Sequence, residues 1–161
     1  VNQPPPCRQQ HRQQHRKPPQ WDVVCENLRG DPIVLRTWVG LAWSLPQVMF
    51  RVTEAGAYVV APRVAGAQFI VNIRNAYNAL AAVNHGHRIE TGPWPAHCWR
   101  PDGTYVDVKT KLVRANDGPG VGVQVDREDA VAVLSYECGP RLIVALKKAY
   151  RVQAGLRAAQ S

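Results

Sequence analysis

Four cysteines (Cys7, Cys25, Cys98, Cys138) and five histidines are the side chains best able to do chemistry. His85, His87, His97 and Cys98 have the donor types that zinc uses. A structural zinc needs four convergent ligands, and a His-x-His followed nine residues later by His-Cys fits no common spacing. Adjacent His97 and Cys98 cannot act together as base and nucleophile on a strand, where neighbours point to opposite faces. There is no Walker loop, no Gly-x-Ser-x-Gly and no Gly-x-Gly-x-x-Gly opening a helix, and Gly118-Pro119-Gly120 reads as a hairpin turn. The expectation is a non-enzyme with no cofactor, no metal and no catalytic residue. If the compartment is oxidising, Cys98 with Cys138 is the favoured disulfide, the other reading being four free, partly buried thiols. Arg29-Gly30-Asp31 spells an adhesion tripeptide, but it falls in a turn that already accounts for its glycine.

The cations and aromatics carry a stronger signal. The net charge is +8, and it is segregated. Residues 1–20 hold Arg8, Arg12, Arg16 and Lys17 without an acid, residues 139–161 hold Arg141, Lys147, Lys148, Arg151 and Arg157 without an acid, and the stretch between carries 11 bases against 12 acids. Clustered cations release counterions on meeting a phosphate backbone, so this pattern favours RNA or another polyanion as partner. Trp38, Trp43, Trp99 and Tyr105 lie on or beside predicted strands, where exposed rings would stack on unpaired bases; core packing is the competing role. No apolar run reaches the roughly 20 residues a bilayer requires, and the arm lacks anchoring apolar residues, so no membrane partner is expected. A start at Val1 suggests a processed form or a fragment.

The elements that must position these residues come from an internal repeat. A shift of 73 positions aligns Trp21 with Trp94, Cys25 with Cys98, Gly30 with Gly103, Thr37 with Thr110, Pro46 with Pro119, Gly66 with Gly139 and Tyr77 with Tyr150, without a gap. A period of this size predicts two supersecondary units, each too small to be stable alone. In each, a turn follows Trp-x-x-x-Cys, and then come alternating β-branched runs: Ile33 to Val39, Val48 to Val52 and Ala57 to Ala61, matched by Tyr105 to Val113, Val121 to Val125 and Ala130 to Leu134. Each ends at helical spacing, Phe69 to Val83 and Leu142 to Leu156, with strands at Phe69 to Ile73 and Leu142 to Leu146 as the alternative. The predicted organisation is α+β: a basic, extended or disordered arm (1–20), copy one (21–83), a linker (84–93) and copy two (94–161), each copy three to four antiparallel strands followed by one helix. On the predicted wheel, Lys147, Lys148 and Arg151 make a basic stripe where the first helix has Arg74, Asn75 and Asn78.

Val23-Val24-Cys25-Glu26, the later Phe50-Arg51-Val52-Thr53-Glu54-Ala55-Gly56 and the echo Glu137-Cys138-Gly139 resemble the amino-terminal module of zona pellucida proteins. The resemblance covers about a third of one copy, with Ala55 standing where that family has a cysteine. It implies an all-β fold, paired disulfides and a secreted extracellular structural or interaction module. The residues themselves point first to a binding protein whose basic ends contact RNA, as a structural subunit among the proteins of a larger nucleoprotein assembly.

Overall fold

The computed structural model describes residues 19–160. It is an α+β protein in which eight antiparallel strands close into one barrel in chain order, joined by two helices. The strands are β1 (Gln20–Glu26), β2 (Pro32–Ala42), β3 (Leu45–Arg51), β4 (Val59–Val60), β5 (Trp94–Trp99), β6 (Tyr105–Ala115), β7 (Gly118–Val125) and β8 (Ala132–Leu134); α1 (Arg63–Asn84) follows β4 and α2 (Cys138–Gln160) follows β8.

Long ladders hold β1–β2–β3 and β5–β6–β7 together, where the sequence alternates β-branched with polar residues. The barrel closes more sparingly. Val60 pairs with Trp99 at the β4–β5 seam, and Glu26 pairs with Val133 at the β8–β1 seam, one bridge each. The inward-pointing strand residues are mostly apolar, with Val23, Leu35, Phe50 and Val59 in β1 to β4 and Ala96, Val108, Val123 and Leu134 in β5 to β8; Thr37 and Thr110 are buried among them. The helices supply Phe69, Ile73, Ala76 and Leu80 from α1 and Leu142 and Leu146 from α2 to the same cluster. Spacing of three and four residues puts each set on one helical face. Fully burying a side chain such as Phe50, Ile73 or Leu142 stabilises the fold by about 1.5–3 kcal/mol.

The helices cross over. Helix α1 lies on β5, β6 and β7, whereas α2 lies on β1, β2 and β3. Two tyrosines lock the crossing. The Tyr150 hydroxyl donates to the Ala61 carbonyl at 2.8 Å, just before α1, and its ring sits on Gly66. The Tyr77 hydroxyl donates to the Ser135 carbonyl at 2.5 Å, just before α2, and its ring sits on Gly139. Where the outer edge of β5 would leave carbonyls open, the buried Asn72 amide donates to Trp94 and Pro95 at 3.2 and 3.0 Å.

Several expectations are corrected. Both helical stretches are helices throughout and begin earlier than the apolar spacing suggested, at Arg63 and Cys138, because the buried residues of their first turns are the small Ala65 and Gly66, and Cys138 and Gly139, which leave no large apolar side chain to mark the period. The predicted third strands shrink to Val59–Val60 and Ala132–Leu134. The hairpin after β6 turns at Asn116 and Asp117, with Ala115 paired to Gly118; Gly118-Pro119-Gly120 belongs to β7. The two helices depart from the all-β fold implied by the zona pellucida resemblance. No Cys98–Cys138 disulfide is present: both thiols are free, and the Cys138 sulfhydryl donates to the Val24 carbonyl at 3.2 Å. The physical reason is the crossover, which carries the start of α2 to β1 instead of to β5. Cys7 lies outside the described residues.

Candidate nucleic-acid interface

Strand register decides where the aromatic candidates lie. Residues directly opposite in a ladder point to the same face. Trp38 faces Met49, Met49 faces Val60, Val60 faces Trp99, and Trp99 faces Tyr105. These five form one lateral row across β2 to β6, on the side of the sheet away from the helices, and the row crosses the β4–β5 seam. At about 4.8 Å per strand, Trp38 and Trp99 are about 14 Å apart.

The row is built to present rings. Met49 and Val60 are buried and make its floor, while Trp99 is 40 % and Tyr105 51 % exposed, enough to leave a ring face reachable. Trp38 is half-buried, edge-on to Tyr58 at 5.5 Å between centroids, and the Arg51 guanidinium stands 5.7 Å from its ring centre. A cation at that distance over a tryptophan is a cation–π contact. Trp99 and Tyr105 meet edge to face at 5.8 Å. Asp107 fixes the far end, accepting from the Tyr105 hydroxyl at 2.5 Å and lying 2.7 Å from His97 Nδ1, with the Tyr105 hydroxyl and His97 also in contact. Its carboxylate opposes phosphate there, so the favourable end of the row for a polyanion is the Trp38 and Trp99 end.

Trp43 reaches the same region from the β2–β3 turn. Ala42 pairs with Leu45, so Trp43 and Ser44 make a two-residue turn, and both have positive φ, 54° and 64°. Such a turn matches the strand twist at the cost of left-handed backbone at two non-glycine residues. The Trp43 indole N–H donates to the Pro101 carbonyl at 3.1 Å, and the ring stays 48 % exposed. Trp43 and Trp99 flank a cavity of about 280 Å³ whose polar lining includes Arg63, Arg157, Gln47 and Gln153. Arg157 is positioned by donating to the Pro46 carbonyl at 3.2 Å and to Gln47 Oε1 at 3.1 Å; Arg63 is exposed at the first turn of α1. Two tryptophan faces beside two guanidinium groups can stack a base and neutralise its phosphate.

The structure thus brings together Trp38, Trp43, Trp99 and Tyr105, and adds Arg51, Arg63 and Arg157. Sequence reasoning assigned no role to Arg51 or Arg63, because neither belongs to a charge run; the signal that could have found them is the register across the seam. Lys147, Lys148 and Arg151 are exposed on α2, as the helical wheel predicts, and so is Arg141. They do not line the cavity that Trp43 and Trp99 flank: α2 packs on β1 to β3, and it reaches that cavity only through Tyr150, Gln153, Ala154 and Arg157. Arg8, Arg12, Arg16 and Lys17 lie outside the described residues. Cys98 faces the core, where burial pushes its thiol up to about 12, and His97 faces the other way. Among the described residues no group of three or more His, Cys, Asp or Glu side chains is gathered to hold a metal ion, and no helix is long and apolar enough to cross a membrane.

Comparison with known protein families, with curated proteins and with solved structures returns no match.

Proposed function

We propose that this chain is a non-enzymatic, single-stranded nucleic-acid-binding protein, with RNA as its partner, acting as a structural subunit of a nucleoprotein assembly. The observation that carries this reading is the lateral row Trp38, Trp99 and Tyr105 over a buried Met49 and Val60 floor, with Arg51 on Trp38 and Arg63 and Arg157 beside Trp43. Stacking against exposed rings tolerates any base, and arginine contacts to phosphate position without specifying sequence. The basic stripe of α2 and the amino-terminal arm supply a second, purely electrostatic contact.

In the same reading the chain is a duplicated ββββα unit of about 73 residues. Its support is that the two seam bridges (Val60 with Trp99, Glu26 with Val133), the two tyrosine locks and the glycines beneath them are each related by the 73-residue shift. One helix face carries a single cation, Arg74, and the other carries three, Lys147, Lys148 and Arg151, a division of labour between equivalent elements.

The test is fluorescence anisotropy of a labelled single-stranded RNA across a salt series. Trp99→Ala should weaken binding by about 1–3 kcal/mol, roughly 5- to 150-fold, with little change in salt slope. Arg63→Ser and Arg157→Ser should each lower the slope by about 0.7. Circular dichroism confirms that each variant stays folded. Equal affinity for parent and Trp99→Ala, with all affinity lost on removing residues 1–20, would reduce the reading to a charged arm on an inert body.

A further inference from the structure

The β8–β1 seam, held by the single bridge of Glu26 to Val133, borders a cavity of about 490 Å³. Val24, Tyr77, Leu80 and Val133 contribute to its wall, and so do two thiols, Cys25 and Cys138. These come from segments far apart in the chain, one near the end of β1 and the other opening α2. The Cys138 sulfhydryl donates at 3.2 Å to the carbonyl of Val24, the residue next to Cys25, and both thiols belong to the same buried cluster. Cys98 occupies the position in β5 that the 73-residue shift relates to Cys25, but Ala65 stands where Cys138 would have its counterpart. Among the described residues one thiol pair therefore stands at one seam, and the RNA interface proposed above uses neither member.

We propose that Cys25 and Cys138 form an oxidation site at which a small hydroperoxide converts the pair to a disulfide, fastening β1 to the start of α2 beside one of the barrel's two single-bridge seams. Cys138, 8 % exposed against 4 % for Cys25, meets the peroxide first through the cavity. Its thiolate attacks one peroxide oxygen, the O–O bond breaks, and the remaining alkoxide takes up a proton and leaves as the alcohol, or as water when the oxidant is hydrogen peroxide. The sulfenic acid so formed is attacked by the Cys25 sulfur. An S–S bond forms, the S–O bond breaks, and water departs with the second proton. The two thiols lose two electrons and the peroxide gains them. Burial and the neighbouring Cys138 raise Cys25 above the ordinary thiol range, so Cys25 suits the resolving role and not the first attack. The bridge closes a loop that includes nearly all of both halves, and a crosslink over so long a loop constrains the unfolded chain strongly.

The experiment uses the full chain carrying Cys7→Ser, so that the arm cannot exchange disulfides. It is treated with a small excess of hydrogen peroxide, quenched by alkylation under denaturing conditions, and analysed by intact and peptide mass spectrometry. The expected result is a mass loss of about two hydrogens, a Cys25–Cys138 crosslinked peptide, Cys98 still alkylated, and a rise in Tm of about 5–15 °C that dithiothreitol reverses. Cys25→Ser and Cys138→Ser should each remove the Tm rise, while Cys98→Ser should keep it. A crosslink through Cys98, over-oxidation of Cys138 without a bridge, or three alkylatable thiols after treatment would each overturn the proposal. All of these readings are made without RNA, so they stand or fall separately from the nucleic-acid interface.

Discussion

A methyl group placed on Gly66 should destabilise this protein, and the same change at Gly155 should stabilise it. Both glycines lie inside helices, where replacement by alanine ordinarily gains about 1 kcal/mol from helix propensity. At Gly155 a Cβ would meet nothing within 4 Å, so the gain should appear undiminished. At Gly66 the Cβ would fall 2.1 to 2.2 Å from the Tyr150 ring and its hydroxyl oxygen. The ring cannot simply swing away, because its hydroxyl is tied to the Ala61 carbonyl and the loss of that bond leaves a half-buried polar group unpaired. Overpacking of about 2–3 kcal/mol plus about 1 kcal/mol for the hydrogen bond, set against the propensity gain, leaves a net loss of about 2–3 kcal/mol. With a urea m-value of about 2 kcal/mol/M, the unfolding midpoint should drop by about 1–1.5 M for Gly66→Ala and rise by about 0.5 M for Gly155→Ala. Tyr150→Ala in the Gly66→Ala background should recover part of the loss relative to the sum of the single changes. If Gly66→Ala instead unfolds within 0.3 M of the parent, the tyrosine lock does not hold the helices in register and the account of the crossing is wrong.

Thr37 and Thr110, paired with Phe50 and Val123 on the core face, are buried with no hydrogen-bond partner for Oγ1 among the described residues. Thr37→Val and Thr110→Val should therefore leave stability unchanged or raise it by up to about 1 kcal/mol, read from urea unfolding; a loss above 1 kcal/mol for either would mean that its hydroxyl is satisfied in solution. Asp22 is held below the usual carboxylate range chiefly by its hydrogen bonds to Arg36, at 2.8 and 3.0 Å. A depressed folded pKa contributes stability above the unfolded value of about 3.9 and loses it as pH falls through the folded value, so Tm should fall between about pH 5 and pH 2. Asp22→Asn should flatten part of that fall, by a small amount because the pair is solvent-screened; an identical acid limb in both proteins would assign the loss to other carboxylates.

Much of the fold was legible because strand alternation and helical spacing are local patterns. Ile33 to Val39 and Tyr105 to Val113 alternate β-branched with polar residues, and Leu142, Leu146 and Ala149 recur at the helical period; each became the element its period implied. The crossover was not legible, since a period of 3.6 says that a helix has a buried face but not which sheet covers it. That single unknown misdirected the cysteines. Cys138 was matched with the nearer Cys98, when the start of α2 belongs beside Cys25. The candidate site was half visible for a related reason. The exposed tryptophans announce themselves by type, but Trp38 and Trp99 become neighbours in one row only through Met49 and Val60, whose pairings depend on the barrel closing at a seam between distant segments.

The crossed helices also bear on how many molecules share one fold. Neither β1–β4 nor β5–β8 covers its own apolar face, and each relies on a helix delivered from the other half of the chain. Nothing in those contacts distinguishes the other half of the same molecule from the matching half of a second one. Two chains that open at residues 85–93 and exchange their second halves would rebuild every ladder, both seams and both tyrosine locks, at the cost only of association entropy. Refolding at high concentration should then trap exchanged dimers with native spectra. Shortening that connection should favour them and lengthening it should favour the monomer, so the segment between the halves sets the stoichiometry without touching either core.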